Sequence, residues 1–222
     1  MKITNKVTTC LGLALGAAVV MGALIAQPGE RRRDQDRMQD RARQPADMPS
    51  MEDMMAEWMK YAEPGEHHRL MEPMIGTFKV TGKMWMDPTA SEPEITHGES
   101  TTRWVLGGRF AMTRYTSTFM GMPFEGLGIT GYDRYRQQYQ SFWWDTFGTM
   151  TYQTTGSVSP DGKVFTSEGA MQDPALGGAM VRTRDITRVI SRNKHIMQMH
   201  HQAPDGSWMK VMELTYTRVK PN

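Results

Sequence analysis

Four side chains that could bind a metal alternate along one segment: His195, Met197, Met199 and His201. Alternate residues of a β-strand point to the same face, so these imidazoles and thioethers would share one side. Histidine and thioether ligands together suit copper, and one histidine could instead be the axial ligand of a haem. The competing interpretation is core packing. All of the 22 methionines except Met1 and Met21 lie after residue 26 and are spread along the chain, and methionine is a general core filler.

A second alternating set contains Tyr139, Ser141, Trp143 and Asp145. If this face is directed inward, a carboxylate beside an indole would form a polar contact point in an apolar pocket. A buried Asp145 would need a hydrogen-bond or cationic partner. The other interpretation, an inter-strand ion pair with an arginine at the rim, is the one we favour.

A third pattern, Gly126 to Gly131, matches G-x-G-x-x-G, but the chain continues into a further strand. A dinucleotide site needs a helix there, so the match is accidental. The sequence contains no nucleophile-elbow, zinc-protease or phosphate-loop motif, and we assign no catalytic residue and no cofactor. An enzyme is therefore less favoured than a binding protein.

The elements that must position these residues are short strands separated by turns rich in Gly, Asp and Pro. A turn signal every ~8–12 residues is typical of an antiparallel barrel or sandwich. The glycines of Gly126-Leu127-Gly128 are expected to mark a bend or bulge. The fold class is all-β, one antiparallel barrel, with predicted strands at 77–86, 94–106, 109–120, 123–133, 136–146, 149–158, 163–172, 179–191, 194–202 and 207–219.

One or two short helices are predicted before the first strand. The first spans 50–61, where methionines and Trp58 recur at helical spacing after a capping-box pattern from Ser50 to Asp53. The second spans 64–74, with Leu70, Met71 and Met74 facing inward. Both are too short to be stable alone, so we expect them to dock on the barrel, across one of its mouths.

The N-terminus has the layout of a secretory signal peptide. Lys2 and Lys6 precede an uncharged run from Cys10 to Ala26, which is followed by Gln27-Pro28. We expect cleavage near Ala26 and a periplasmic or extracellular protein; a retained anchor helix is the alternative, since the run is at the lower limit of spanning length. Three domains are therefore predicted: a signal peptide at 1–26, a disordered charged linker at 27–49 and a barrel domain at 50–222.

The net charge limits the kind of partner, and the cysteine count limits disulfide bonding. Cleavage would remove two of the 26 basic residues and leave 24 against 24 acidic ones, so nothing indicates a nucleic-acid partner. Cys10, the one cysteine, lies in the leader, so the mature protein would form no disulfide. After cleavage we expect no stable membrane span, and the sequence does not determine the oligomeric state.

The chain contains an ordered series of short motifs: Pro64-Gly65-Glu66-His67, Gly76-Thr77-Phe78, Gly107-Gly108-Arg109, Gly121-Met122-Pro123-Phe124-Glu125-Gly126, Gly131-Tyr132-Asp133, Trp143-Trp144-Asp145 and Tyr216-Thr217-Arg218. This series resembles the domain-of-unknown-function 1579 family, over roughly residues 50–219. The resemblance implies a calycin-like barrel in bacterial proteins with no assigned activity.

A lipocalin-like feature links the first predicted strand to the last. Gly76-Thr77-Phe78 resembles the G-x-W of lipocalins, with Phe78 in place of tryptophan, and Arg218 resembles their closing arginine. An arginine stacked on an aromatic ring would seal one end by a cation–π contact.

The leading functional hypothesis is an exported, non-enzymatic barrel that binds a small apolar or amphipathic molecule. Its predicted ligand-binding residues are the aromatic and polar side chains Trp85, Trp104, Tyr115, Phe119, Trp143 and Asp145. The first alternative is a copper or haem protein using His195, Met197, Met199 and His201. A further alternative is an interaction module whose methionine-rich helix presents Met51, Met55 and Met59 to a partner.

Overall fold

The computed structural model describes residues 48–85, 92–173 and 176–219. The chain divides into two compact units, Met1–Glu52 and Asp53–Asn222. The predicted signal peptide and nearly all of the predicted linker lie outside the described residues, so both stay predictions. Among the described residues, no helix is both long enough and apolar enough to cross a bilayer.

The second unit contains a closed barrel of ten antiparallel strands. Each strand pairs with the next along the chain, and the last closes on the first. The predicted strand bounds agree with the structure to within three residues, which confirms the all-β barrel. The strands are β1 (Gly76–Met84), β2 (Glu94–Val105), β3 (Phe110–Phe119), β4 (Met122–Asp133), β5 (Gln138–Asp145), β6 (Tyr152–Val158), β7 (Val164–Asp173), β8 (Ala179–Ser191), β9 (Lys194–Gln202) and β10 (Trp208–Arg218).

The barrel has two distinct ends. The helix end contains the start of β1 and the turns before β3, β5, β7 and β9; the loop end contains the other connections. Closure depends on the pairing of β1 with β10, which runs from Phe78 opposite Arg218 to Met84 opposite Met212. The buried core contains Val80, Tyr115 and Leu214 from three different strands. Buried and exposed residues alternate most clearly along β1 and β2, as expected for the wall of a barrel.

The glycines of β4 do not form the predicted bulge. The ladders to β3 and β5 continue in register through Gly126 and Gly128. A Cβ on Gly126 would overlap the indole of Trp143, and one on Gly128 would lie 3.0 Å from the same ring. These glycines instead provide a flat surface on which a large ring packs across the neighbouring strand. The described register shifts lie between Val189 and Ser191 and between Lys210 and Met212.

The first helix, α1 (Met51–Ala62), forms nearly as predicted but does not lay its apolar face on the barrel. Met55, Trp58 and Met59 remain exposed. Contact is made at the C-terminal end, where the ring of Tyr61 stacks on Tyr135 with centroids 3.8 Å apart. The expectation that this helix covers a mouth is therefore wrong, and the interaction-module hypothesis stays a prediction.

The second predicted helix is broken into two short pieces. These are α2 (Glu66–Arg69) and a 3-10 turn, Glu72–Met74. Pro73 has no N–H to continue an α-helix and disfavours the α conformation of the residue before it, so the chain tightens there. The break lets Met71, 1% exposed, insert into the helix end of the barrel.

Candidate ligand cavity

Arg218 holds the helix end together. Its guanidinium lies 4.5 Å from the centroid of the Phe78 ring. The same group donates to the carbonyl oxygens of Pro73 (2.8 Å), Ile75 (2.6 Å) and Arg192 (2.8 Å). Gly76, with φ +130°, leaves the space the guanidinium occupies, because a Cβ there would overlap it. One cation thus ties together β10, the chain entering β1 and the turn before β9.

His195 packs directly above this closure. Its ring stacks on Tyr216 with centroids 4.2 Å apart and meets Phe78 edge-on at 4.8 Å. Burial, aided by the positive charge of Arg218, lowers the pKa of His195 to about 4. The imidazole is therefore neutral at physiological pH. Its buried Nδ1 has no hydrogen-bond partner in the described part of the chain.

The barrel interior contains a cavity of about 480 Å³. Its lining extends from Met71 and His195 at the helix end to Phe147 and Met150 at the loop end. Most of this surface is apolar, with methionine and aromatic side chains between the hydroxyls of inward Ser and Thr residues. The chemical character is that of a site for a molecule with an apolar body and few polar groups.

Trp143 and Asp145 form one polar point of the lining. The indole Nε1 of Trp143 donates to Asp145 Oδ2 at 2.9 Å, and the backbone N–H of Phe147 donates to Oδ1 at 2.9 Å. The structure therefore shows no arginine pair for Asp145 within the described residues. The carboxylate instead orients the indole and fixes the start of the loop after β5.

A second polar point, which sequence reasoning missed, lies on β8. Tyr152 donates to Asp185 Oδ2 at 3.0 Å, and its oxygen lies 2.7 Å from the Oγ1 of Thr183. Burial raises the pKa of Asp185 to about 6, although the hydrogen bond from Tyr152 opposes this shift. Burial also raises the pKa of Tyr152 well above its usual value, so the phenol stays neutral. The missed signal was alternation: Val181, Thr183 and Asp185 share one face of β8.

The predicted ligand-binding residues divide into two groups. Tyr115, Phe119, Trp143 and Asp145 all line the cavity, whereas Trp85 and Trp104 do not. Trp104 lies at the helix end, where its Nε1 donates to Glu72 at 2.9 Å. Trp85 comes after β1 has ended, and its ring faces the ammonium of Lys210, with the nitrogen 4.7 Å from the ring centroid.

The four residues of the predicted metal site do not converge. His195, Met197 and Met199 line the cavity, but His201 lies near the loop end with Nδ1 3.6 Å from Asp173. Six residues of extended strand separate the two imidazoles by about 20 Å, so they cannot bind one ion. Among the described residues, no three His, Cys, Asp or Glu side chains are arranged to hold a metal.

Comparison with known proteins places the chain in a family. The profile described as "Protein of unknown function (DUF1579)" matches residues 63–218. The chain belongs to this family. No curated protein matches it. The DUF1579 chain resembles the crystal structure of Rv2717c from M. tuberculosis with a TM-score of 0.53 and 15% identity, over 71% of this chain and 100% of that one. This likeness supports the barrel fold alone. A redesigned β-barrel aligns with a TM-score of 0.36 and 14% identity, over 69% of this chain and 96% of the design.

Proposed function

We propose that this DUF1579 protein is a non-enzymatic barrel that binds a small apolar or amphipathic molecule in its interior. The observation that carries the proposal is the cavity of about 480 Å³ between Met71 and Phe147. Sites for small molecules in proteins are concave, mostly apolar and ≈ 300–1,000 Å³ in volume, with a few placed polar groups. The interior has this size and this composition.

The kinds of side chain in the lining support the same proposal. Met197, Met199 and Met212 lie on neighbouring strands, and their flexible thioethers can adapt to an irregular apolar body. The indole of Trp143 provides a flat wall fixed by Asp145. Inward hydroxyls offer hydrogen bonds without a strong charge. The ligand would therefore be recognised by shape and apolar contact, with a small number of polar contacts.

The proposal is tested by titrating the protein with an apolar fluorescent probe, N-phenyl-1-naphthylamine. Ser117 lines the cavity on β3, whereas the adjacent Thr116 faces solvent. We expect Ser117→Phe to fill part of the cavity and to weaken probe binding at least about tenfold, a change of about 1.4 kcal/mol. The matched control Thr116→Phe, which adds the same ring outside the barrel, should leave binding within about twofold.

Two results would contradict the proposal. The first is that wild-type protein, folded by circular dichroism, gives no saturable probe signal. The second is that Thr116→Phe and Ser117→Phe reduce binding equally, because the probe would then lie on the outer surface.

A second candidate is a metal or haem bound at His195 alone. The observation in its favour is the neutral imidazole, with a buried Nδ1 that has no partner in the described chain. Copper or haem would be added to the protein and to His195→Phe, with His97→Phe, at an exposed position on β2, as control. A metal-dependent rise in melting temperature or a haem absorption band that only His195→Phe abolishes would support it; no change in wild type would remove it.

We also propose that the protein is exported, on the strength of the N-terminal run from Cys10 to Ala26. Mass spectrometry of the protein from its own host should show a mature chain that begins near Gln27. A membrane fraction containing the intact N-terminus would show instead that the run is kept as an anchor.

A further inference from the structure

One carboxylate of the cavity lining has an oxygen to which no group in the described residues donates a hydrogen bond. Asp185 lies on β8 between Ser167 of β7 and Met199 of β9 in the strand register. Its Oδ2 accepts the hydrogen bond from Tyr152. Its Oδ1 is buried, and no group in the described part of the chain donates to it. The residue itself lines the cavity.

An unpartnered buried carboxylate oxygen is costly. Leaving a buried acceptor without a donor costs free energy, and the cost is greater when the group is charged. Buried charges in proteins are generally paired or bound to a ligand. A ligand that brings a donor to the carboxylate would offset this cost, which makes Asp185 a recognition point inside a mostly apolar chamber.

The charges around Asp185 indicate which kind of hydrogen-bond donor a ligand would bring to this carboxylate. The lining contains two carboxylates, Asp145 and Asp185, and neither lysine nor arginine among its described residues. The arginine next along β8, Arg184, faces the other way and pairs with Glu168 on the outer surface, with nitrogen–oxygen distances of 2.7 and 2.9 Å. The interior therefore carries negative charge that no described cation within the lining balances.

The remaining titratable groups near this carboxylate do not supply a cation either. Tyr152 and Tyr216 are neutral, because burial raises the pKa of both phenols. His195 is neutral, because burial lowers its pKa to about 4. Burial also lowers the pKa of His201 at the loop end, while the neighbouring Asp173 opposes that shift.

We propose that the cavity binds an apolar molecule carrying a protonated amine, with the ammonium pairing with the carboxylate of Asp185 and the apolar chain lying against the methionines of β9 and β10. This inference rests on the proposed function and adds the chemical class of the ligand. The ammonium also gives the interior the positive charge that its lining lacks.

The proposal requires a defined dependence on pH. An alkylammonium, like a lysine side chain, has a pKa near 10.4 and stays charged between pH 5 and 8. Asp185, with a pKa of about 6, is ionised at pH 7.5 but only about a tenth ionised at pH 5. Lowering the pH from 7.5 to 5 should therefore weaken amine binding about tenfold. A neutral ligand with the same chain should show no such loss.

The test compares decylamine, decanol and decanoic acid, which share one chain and differ in the head group. Each is titrated by isothermal calorimetry into the full protein, below its micelle concentration. At pH 7.5 we expect decylamine to bind at least about tenfold more tightly than decanol, and decanoic acid to bind most weakly.

Two variants assign the effect to one carboxylate. Asp185→Asn keeps the shape and an acceptor for Tyr152, and should weaken decylamine at least about tenfold while changing decanol by less than about twofold. Glu99→Gln removes one negative charge at an exposed position on β2 and should change neither. Should Asp185→Asn fail to fold, the head-group order and its pH dependence in wild type still decide the question.

The possible outcomes separate this inference from the proposed function. If decanol or decanoic acid binds as well as decylamine, or if Asp185→Asn leaves decylamine unchanged, the amine proposal is overturned while the cavity remains a binding site. If none of the three compounds binds to folded protein, the proposed function fails as well.

Discussion

Substitution of Arg218 by alanine should strongly destabilise the barrel. The guanidinium donates three hydrogen bonds to backbone carbonyls and lies on the ring of Phe78. The bonds to Pro73 and Ile75 are partly buried, whereas the bond to Arg192 is exposed. Hydrogen bonds to charged groups contribute about 1.5–3 kcal/mol each, and an exposed cation–π contact about 0.5–1 kcal/mol.

Two partly buried bonds at the lower value and one cation–π contact give a loss of about 4 kcal/mol from the free energy of unfolding. For a domain of 150–250 residues, this corresponds to a fall in melting temperature of about 8–16 °C. Urea unfolding followed by circular dichroism and by tryptophan fluorescence measures the loss. Both probes should give one coincident transition, since Arg218 joins parts of a single barrel.

Two controls make the measurement specific. Arg218→Lys keeps the charge but not the planar fork that reaches three carbonyls, so it should recover less than half of the loss. Arg188→Ala, at an exposed position on β8, should change stability by less than about 0.5 kcal/mol. A loss below about 1 kcal/mol for Arg218→Ala would refute the reasoning that this residue fastens the helix end.

Three other perturbations give measurable results. The pKa of Asp185 is raised on folding from 3.8 to about 6, so its contribution to stability is present below pH 4 and lost as pH rises to 6; Asp185→Asn should therefore make stability climb more steeply over this range in urea unfolding. The pKa of His195 is lowered from 6.5 to about 4, so its contribution is present above pH 6.5 and lost as pH falls; His195→Phe should flatten the curve between pH 4 and 6.5. Gly126→Ala should cost about 1–3 kcal/mol because the new methyl overlaps the Trp143 ring, whereas Gly148→Ala, with no atom closer than 3.9 Å, should cost little; equal losses would contradict the role given to Gly126.

The strands could be predicted because alternation and turn chemistry agree along the chain. β8 and β9 have the predicted bounds, and the turns around Gly162 and Gly206 contain glycines with φ of +72° and +87°. Short turns of this kind connect neighbouring antiparallel strands, so the order of strands in the sheet follows their order in the chain. The helical segment was predicted less well. Pro73 was the available signal for a break in the helix predicted over 64–74, and it was not used. The sequence does not reveal whether Met55 and Trp58 pack against the barrel.

The candidate site could be predicted only in part. Alternation shows which face of a strand a side chain lies on, but not how far along the barrel axis it lies. Trp104 falls on the inward face of β2, yet it lies beyond the cavity at the helix end, where it reaches Glu72. Trp85 follows the end of β1, where the period of two no longer holds. Asp185 was missed because it has no aromatic neighbour in the sequence; Tyr152 reaches it from another strand. The volume left inside depends on how ten strands and their side chains fill the barrel, which a sequence pattern does not determine.

The central claim, that the interior accommodates a small molecule, is tested most directly by diffraction from crystals soaked with 10-bromodecylamine. An anomalous bromine peak should lie inside the barrel near Met197 and Met212, with the amine beside Asp185. Side chains that fill the interior, or bromine found only on the outer surface, would contradict the account.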